Sequence, residues 1–353
     1  MANIEKMDLN NKTKFALFGH GFHLCYFVDA LIDRGFPTPV IITHPKKLHE
    51  RDIRLLGDDD ALYRNVFDVA DKHNIKILEA DSANQGTVLN FLNNEQCTAG
   101  FSLSCRSILR KNIIDFFDEK VFNIHPTYLP NERGGGTFSW RILNGINEIS
   151  ATIHRIDEGI DSGNILLQMK ENLQGHHHKP YDFLIRTNLL YIKLIDIFLD
   201  KIPSIMKLNG IKQDNSKSTY FPRLITEING IIDWSLSGIF IERTIRAFSH
   251  PYSGSFTYIN GNRIFIMDSF FEESNHNMHP LMYGKVIGYT SNDLPKVVVK
   301  DGYICVSSIK TSEGVVQHPK ELINCPGQLY STKGEIEMAK SKIMKISQIN
   351  CEE

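Results

Sequence analysis

The chain has 353 residues, more than one ordinary hydrophobic core takes and enough for two domains. Hydrophobic residues make up 42% and charged residues 23%, an ordinary globular composition. The net charge of −2 lacks the basic excess of nucleic-acid binders, so no nucleic acid is expected as partner, whereas a small anionic ligand needs only a local cluster of cations.

The N-terminal "MANIEKMDLNNKTK" is polar and does not read as a secretory leader. The longest apolar candidate for a membrane span, Leu189 to Leu199, contains Lys193 and Asp196. The six cysteines form no CxxC and read as free thiols of a reducing cytoplasm. "KFALFGHG" is a short strand ending in a glycine turn, and "FHLCYFVDALIDRG" has helical spacing that stops at Gly35. "TPVIIT" is the next strand, and Asp58-Asp59-Asp60 reads as a solvated helix start. "DVADKHNIKILEAD" gives helix then strand, "TVLNFLNN" helix, "CTAGFSLS" strand, "ILRKNIIDFF" helix and "KVFNIH" strand. Strands alternating with helices predict a doubly wound, mostly parallel sheet, whose ligands bind at the carboxyl ends of its strands.

"TFSWRILNG" is then a helix, "ATIHRID" and "NILLQMK" are strands around the turn "EGIDSG", and "KPYDFLIRTNLLYIKLIDIFLDKI" is a long amphipathic helix. "NGIKQDNSKSTYF" reads as a linker, with a boundary between residues 1–207 and 208–353. Beyond a helix in "DWSLSGIFIERTIRAF", the short strands "GSFTYING", "RIFIMDS", "YGKVIGYT", "KVVVKDG" and "YICVSSI" suit a small antiparallel barrel or sandwich.

The chemistry concentrates in "FNIHPTYLPNERGGG". Residues two apart in a strand share a face, so Asn123 and His125 project together from the carboxyl end of theirs. Pro126 ends the ladder, and Gly134, Gly135 and Gly136 let backbone approach a ligand closely. "RIDEGIDSG" puts Asp157, Glu158 and Asp161 on a loop from which a carboxylate can reach His125. An amide, an imidazole and a carboxylate suit acyl transfer to an amine. The imidazole accepts the amine's proton, the carboxylate orients the ring, and the amide donates to the oxyanion. A neutral acceptor amine, an unprotonated His125 and an ionised Asp161 are all lost in acid, so turnover is expected to fall on the acidic side. By spacing alone the alternatives stay open: a hydrogen-bonded pair closing a strand for Asn123 and His125, and a turn former for Asp161.

"FNIHPTYLPNERGGGTFSWRILNG…ATIHRIDEGIDSGNIL" resembles the formyltransferases that use N10-formyltetrahydrofolate, the sugar N-formyltransferases and methionyl-tRNA formyltransferase among them. The shared pattern falls on Asn123, His125, Pro126, Leu129, Pro130, Arg133, Gly134, Trp140, Asn144, Gly145, Thr152, His154, Asp157, Gly159, Asp161 and Gly163. The resemblance continues through "TYFPRLITEINGIIDW" into the small second domain. It implies a Rossmann-like catalytic domain followed by an OB-like barrel domain, the triad Asn123, His125 and Asp161, and a folate co-substrate with no metal. By position it assigns the pterin to Ser104, Cys105, Arg106, Leu129, Asp157 and Gly159. It assigns the acceptor to Arg133, Gly134, Gly135, Tyr220 and Arg223.

On this basis the chain is expected to formylate the amine of a nucleotide-linked sugar, with dTDP as the nucleotide. The product would feed surface polysaccharides such as O-antigen, and the enzyme would be a cytoplasmic homodimer. Methionyl-tRNA formyltransferase is the first alternative, disfavoured by the net charge, and a non-catalytic nucleotide-binding protein is the second. "GHGFHL" is a poor dinucleotide fingerprint because Leu24 takes the third glycine position. His176 to His178 read as a solvated loop, since three adjacent histidines cannot all face one ion. His154 reads as a structural hydrogen-bonding residue, and Trp140 as helix core.

Overall fold

The computed structural model describes residues 13–57, 59, 62–332, 334, 335 and 337. Residues 1–12 of the polar N-terminal stretch, Asp58, Asp60 and Cys351 lie outside the described residues. The chain forms two compact units. One comprises residues up to Thr137 with Glu148–Gln174 and Asp182–Pro222, the other Phe138–Asn147, Gly175–Tyr181 and the chain from Arg223. The expected division at residue 208 differs from this one, since residues 208 to 222 group with the first unit.

The first unit alternates strand and helix: β1 (Phe15–Gly19), α1 (Gly21–Asp33), β2 (Val40–Thr43), α2 (Lys46–Leu56), α3 (Val66–Lys72), β3 (Ile77–Glu79), α4 (Gly86–Asn94), β4 (Ala99–Leu103), α5 (Lys111–Phe116) and β5 (Val121–His125). After β6 (Arg133–Gly134) the chain runs through α6 (Thr137–Leu143), which from Phe138 onward belongs to the second unit, and then β7 (Glu148–Arg155), β8 (Ile165–Asn172), α7 (Pro180–Asp200), α8 (Ser204–Lys207) and β9 (Tyr220–Phe221) follow. The seven-stranded sheet runs β3-β2-β1-β4-β5-β7-β8. Its first five strands are parallel, and β7 and β8 add antiparallel to β5. Strand order reverses between β1 and β4. These strands are buried along their whole length, which is why they read as unbroken apolar runs and not as alternating ones.

One face of the sheet carries an aromatic cluster, with Phe101 5.2 Å from Phe198 of α7 and 4.6 Å from Phe27 of α1 between ring centroids. On the other face Phe18, Ile42, Val88, Leu92, Ile113 and Val121 pack together. The amphipathic spacing of α1 and α7 thus becomes burial against β1, β4 and β5. Helix α2 has no counterpart in the expected elements. Its Leu48 and Ile53 are exposed and its inward residue is His49, so apolar periodicity is missing there.

The second unit holds α9 (Thr226–Asn229), α10 (Gly238–Ala247), β10 (Ser255–Ile259), β11 (Asn262–Glu273), β12 (Lys285–Tyr289), β13 (Pro295–Val299), β14 (Gly302–Thr311), β15 (Val316–Gln317) and β16 (Gly327–Gln328). Its antiparallel sheet has the order β10-β11-β14-β13-β12-β16. The sheet curls: the segment after β16 returns to the opposite edge, where Tyr258 and Tyr330 exchange backbone hydrogen bonds of 3.0 and 2.9 Å. Ile264, Ile266, Val297, Val299, Ile304 and Val306 fill it, together with Ile241 and Ile245 of α10 and Trp234. No helix among the described residues is long and apolar enough to cross a membrane.

Candidate active site

Strand β5 carries Asn123 and His125 to the carboxyl edge between β4 and β7. The register with β7 sets Asn123 opposite His154 and His125 opposite Thr152. Cross-strand partners share a face, so the amide and His154 meet there, Nδ2 to Nε2 at 3.1 Å. His154 Nδ1 lies 2.6 Å from the carbonyl of Arg155, an acceptor only, so Nδ1 carries the proton and the bare Nε2 accepts from Asn123. Burial lowers the His154 pKa to about 4, opposed by the nearby Asp161 carboxylate, which keeps the ring neutral in that tautomer at pH 7. The orientation of the Asn123 amide is thereby decided: one Nδ2 hydrogen is spent on His154 and the other meets no protein acceptor among the described residues.

His125 is buried, with Nε2 3.1 Å from the carbonyl of Glu132 and Nδ1 3.5 Å from Asp161 Oδ2. Both ring nitrogens therefore face oxygen acceptors.

Asp161 stands in the loop between β7 and β8 with φ +51°, a left-handed conformation that Asp tolerates through its short polar side chain. Its Oδ2 accepts from the Gly134 backbone at 2.9 Å, and Gln213 Nε2 donates to its carbonyl at 2.8 Å and to that of Gly163 at 2.7 Å. Gly134, at φ +98°, pairs through β6 with β9, and a Cβ there would sit 2.3 Å from the Phe221 carbonyl. The glycine run that reads as a ligand approach therefore also lets two chain segments approach each other and turns an N–H onto the triad carboxylate.

The remaining expected residues fall in three places. Arg133 binds Gln213 Oε1 at 2.7 Å and Asn215 Oδ1 at 2.9 Å, so it braces the clamp on Asp161. Gly135 donates to the Phe221 carbonyl, and Tyr220 of β9 is exposed. Arg223 belongs to the second unit. Around the triad, Leu129 donates to Thr152 Oγ1 at 3.3 Å and its carbonyl accepts from Gln168 at 2.8 Å. Asp157 Oδ1 accepts from Gly159 at 3.1 Å and from Ser162 Oγ at 2.7 Å, closing the 157–163 loop on itself. At the end of β4, Ser104 has φ +57°, burial pushes the Cys105 thiol up to about 11, and Arg106 pairs with Asp52 at 2.7 Å.

Gln213 had no signal in the sequence. It sits in a stretch of linker composition, and only the fold brings it to the triad loop. His154 was legible as a hydrogen-bonding strand residue, but not its partner.

Residues 14–178 match the formyl transferase family model and residues 224–327 match that of the formyl transferase C-terminal domain. The chain belongs to the formyl transferase family. Members are enzymes that transfer formyl groups. Among curated proteins, the chain is 28% identical over 244 residues to the bifunctional polymyxin resistance protein ArnA of Wigglesworthia glossinidia brevipalpis. The match covers 69% of this chain and 35% of that one, so this formyltransferase chain spans about a third of that relative's length. It is 27% identical to the methionyl-tRNA formyltransferase of Chloroflexus aggregans, covering 80% of this chain and 88% of that one. Among solved structures, the fold resembles the N-formyltransferase of Helicobacter canadensis in complex with folinic acid and dTDP-3-aminofucose. Its TM-score is 0.59 at 21% identity, over 83% of this chain and 98% of that one.

Proposed function

We propose that this formyltransferase moves a formyl group from N10-formyltetrahydrofolate to the amine of a dTDP-linked amino sugar, with Asn123, His125 and Asp161 as its catalytic residues. The observation that carries the reading is the Asn123 amide, locked by His154 so that one N–H is left for an external acceptor. No protein partner takes that hydrogen among the described residues, and a carbonyl oxygen fits it. The likeness in fold to an N-formyltransferase crystallised with folinic acid and dTDP-3-aminofucose supports the substrate class. So does the net charge of −2, which suits a small nucleotide better than tRNA.

The folate supplies a formyl carbon attached to a nitrogen leaving group. The acceptor nitrogen forms the new C–N bond and the bond to the folate nitrogen breaks. Asn123 donates to the formyl oxygen as negative charge builds there. His125 takes a proton from the acceptor amine and passes one to the leaving nitrogen, so the proton count balances. Asp161, held by Gly134 and Gln213, keeps a negative charge beside the ring through both transfers. Ser104 to Arg106, Leu129, Asp157 and Gly159 are assigned to the pterin; Arg133, Gly134, Gly135, Tyr220 and Arg223 to the acceptor. In this reading the enzyme is a cytoplasmic homodimer that supplies formylated sugars for surface polysaccharides such as O-antigen.

The test is a panel of nucleotide-linked amino sugars and initiator methionyl-tRNA, each incubated with the formyl donor and read by mass spectrometry. The expected result is one added formyl group on a dTDP-amino sugar. Formylation of the tRNA alone would favour the alternative represented by the Chloroflexus relative. No transfer to any acceptor, with folate still bound, would point to a non-catalytic binding protein.

A further inference from the structure

At the carboxyl edge of β1 and β2, three imidazoles pack together. His20 follows β1, His44 follows β2, and His49 lies on α2. His44 and His49 stack at 3.8 Å between ring centroids, and His20 meets His44 edge-on at 4.6 Å. His44 is 7% exposed and His49 2%. Packed histidines of a structural core normally satisfy both ring nitrogens. Here His20 Nδ1, His44 Nε2 and His49 Nδ1 are buried without a hydrogen-bond partner among the described residues.

The His49 tautomer follows from the contacts that do exist. His49 Nε2 is 3.1 Å from the His44 carbonyl, so it bears the proton and Nδ1 keeps its lone pair. His20 Nε2 is 2.9 Å from Asp52 Oδ2, close to the separation of two donors on one ion, so an ion bound by this pair would take the place of the proton between them. Arg106 contacts the same Asp52 oxygen at 2.7 Å, so both recorded bonds fall on Oδ2.

We propose that His20, His44 and Asp52 form a binding site for a divalent transition-metal ion of the zinc type, apart from the Asn123–His125–Asp161 centre. One donor atom from each residue lies within 4.8 Å of the others. Metal–nitrogen bonds of about 2 Å put donors on a tetrahedral ion about 3.3 Å apart, so the ion draws the three inward. Neutral imidazoles and a carboxylate select Zn2+, Co2+ or Ni2+ over Mg2+ or Ca2+, which prefer all-oxygen sites. His49 stacks on His44 and holds its ring in place. The Arg106 guanidinium opposes a cation, which makes the site weaker than one with an unpaired carboxylate. The bound ion would tie the loops after β1 and β2 to α2 and, through Asp52 and Arg106, to the loop after β4. It takes no part in the transfer, and the site does not depend on the formyl-transfer reading.

The test uses the full chain with His176, His177 and His178 changed to Ala, so that the surface triplet cannot report. After chelator treatment it is titrated with Co2+ by visible absorption and with Zn2+ by calorimetry. The expected result is one saturable equivalent, ligand-field bands of nitrogen- and oxygen-bound Co2+, and a rise in melting temperature with Zn2+. His44→Ala and His20→Asn should each weaken binding at least tenfold and abolish the rise, with Asp52→Asn as a third reading if His44→Ala does not fold. Absence of saturable binding in the background chain overturns the proposal without any of these variants. Undiminished binding in the folded ligand variants also overturns it.

Discussion

Asn123, His154 and the Arg155 carbonyl form a short line of hydrogen bonds that leaves one amide hydrogen of Asn123 without a protein acceptor among the described residues. Asn123→Ala should lower kcat about 100- to 1,000-fold, as loss of one preorganised oxyanion donor does. His154→Ala acts one step removed. It frees the amide to rotate and should cost about tenfold in kcat with little change in KM for the acceptor. Steady-state kinetics of the two variants separate these effects; equal losses would mean that His154 does more than orient the amide. His125→Ala and Asp161→Asn should each lose at least about 100-fold in single-turnover rate while folate binding, followed by fluorescence, survives.

Between elements, the important link is the brace from the linker to the triad. Strand β9 pairs with β6, Arg133 holds Gln213, and Gln213 holds both carbonyls flanking the Asp161 turn. Gln213→Ala removes the donors of two carbonyls and leaves the Arg133 guanidinium short of an acceptor. It should cost about 1–3 kcal/mol in urea unfolding and reduce turnover together with it. Gly134→Ala is the sharper case, because the added Cβ meets backbone at 2.3 Å with φ already at +98°. A variant with unchanged melting temperature and rate would show that β6 and β9 do not need to pair. The same brace revises where the chain can be cut. An end at Leu208 removes Gln213 and β9, so a truncation there should fail to bind folate even when expressed in soluble form. An end at Pro222 retains both.

For the whole molecule, burial lowers the pKa of both His23 and His154 to about 4, with Asn188 opposing the shift at His23 and Asp161 at His154. Unfolding returns each to the ordinary histidine value near 6.5, so below that pH the unfolded chain binds more protons than the folded one. Stability should therefore be greatest above about pH 7 and fall as pH drops from 6.5 towards 4. Each histidine accounts for a loss of about 2 kcal/mol at pH 5. Burial also lowers His44, to about 3, and His49, so in urea unfolding at pH 8 and pH 5 His23→Gln should reduce the difference by about a third or less.

Local chemistry made much of this protein legible before folding. Apolar period and glycine stops marked β1, α1, β4, β5 and α7, because burial on a sheet or against one dictates those patterns directly. The Asn-x-His pair and the Asp-rich turn could be assigned to one chemistry, because two-residue spacing fixes a common face. Helix α2 was not legible, since its buried contact is made by a histidine. Tertiary structure alone decided the partners across segments: His154 on the Asn123 amide, Gln213 on the Asp161 turn, and His20 beside His44 and Asp52. Those contacts join residues separated by 31, 52 and 24 to 32 positions. Strand register and chain return, which no local periodicity encodes, bring them together.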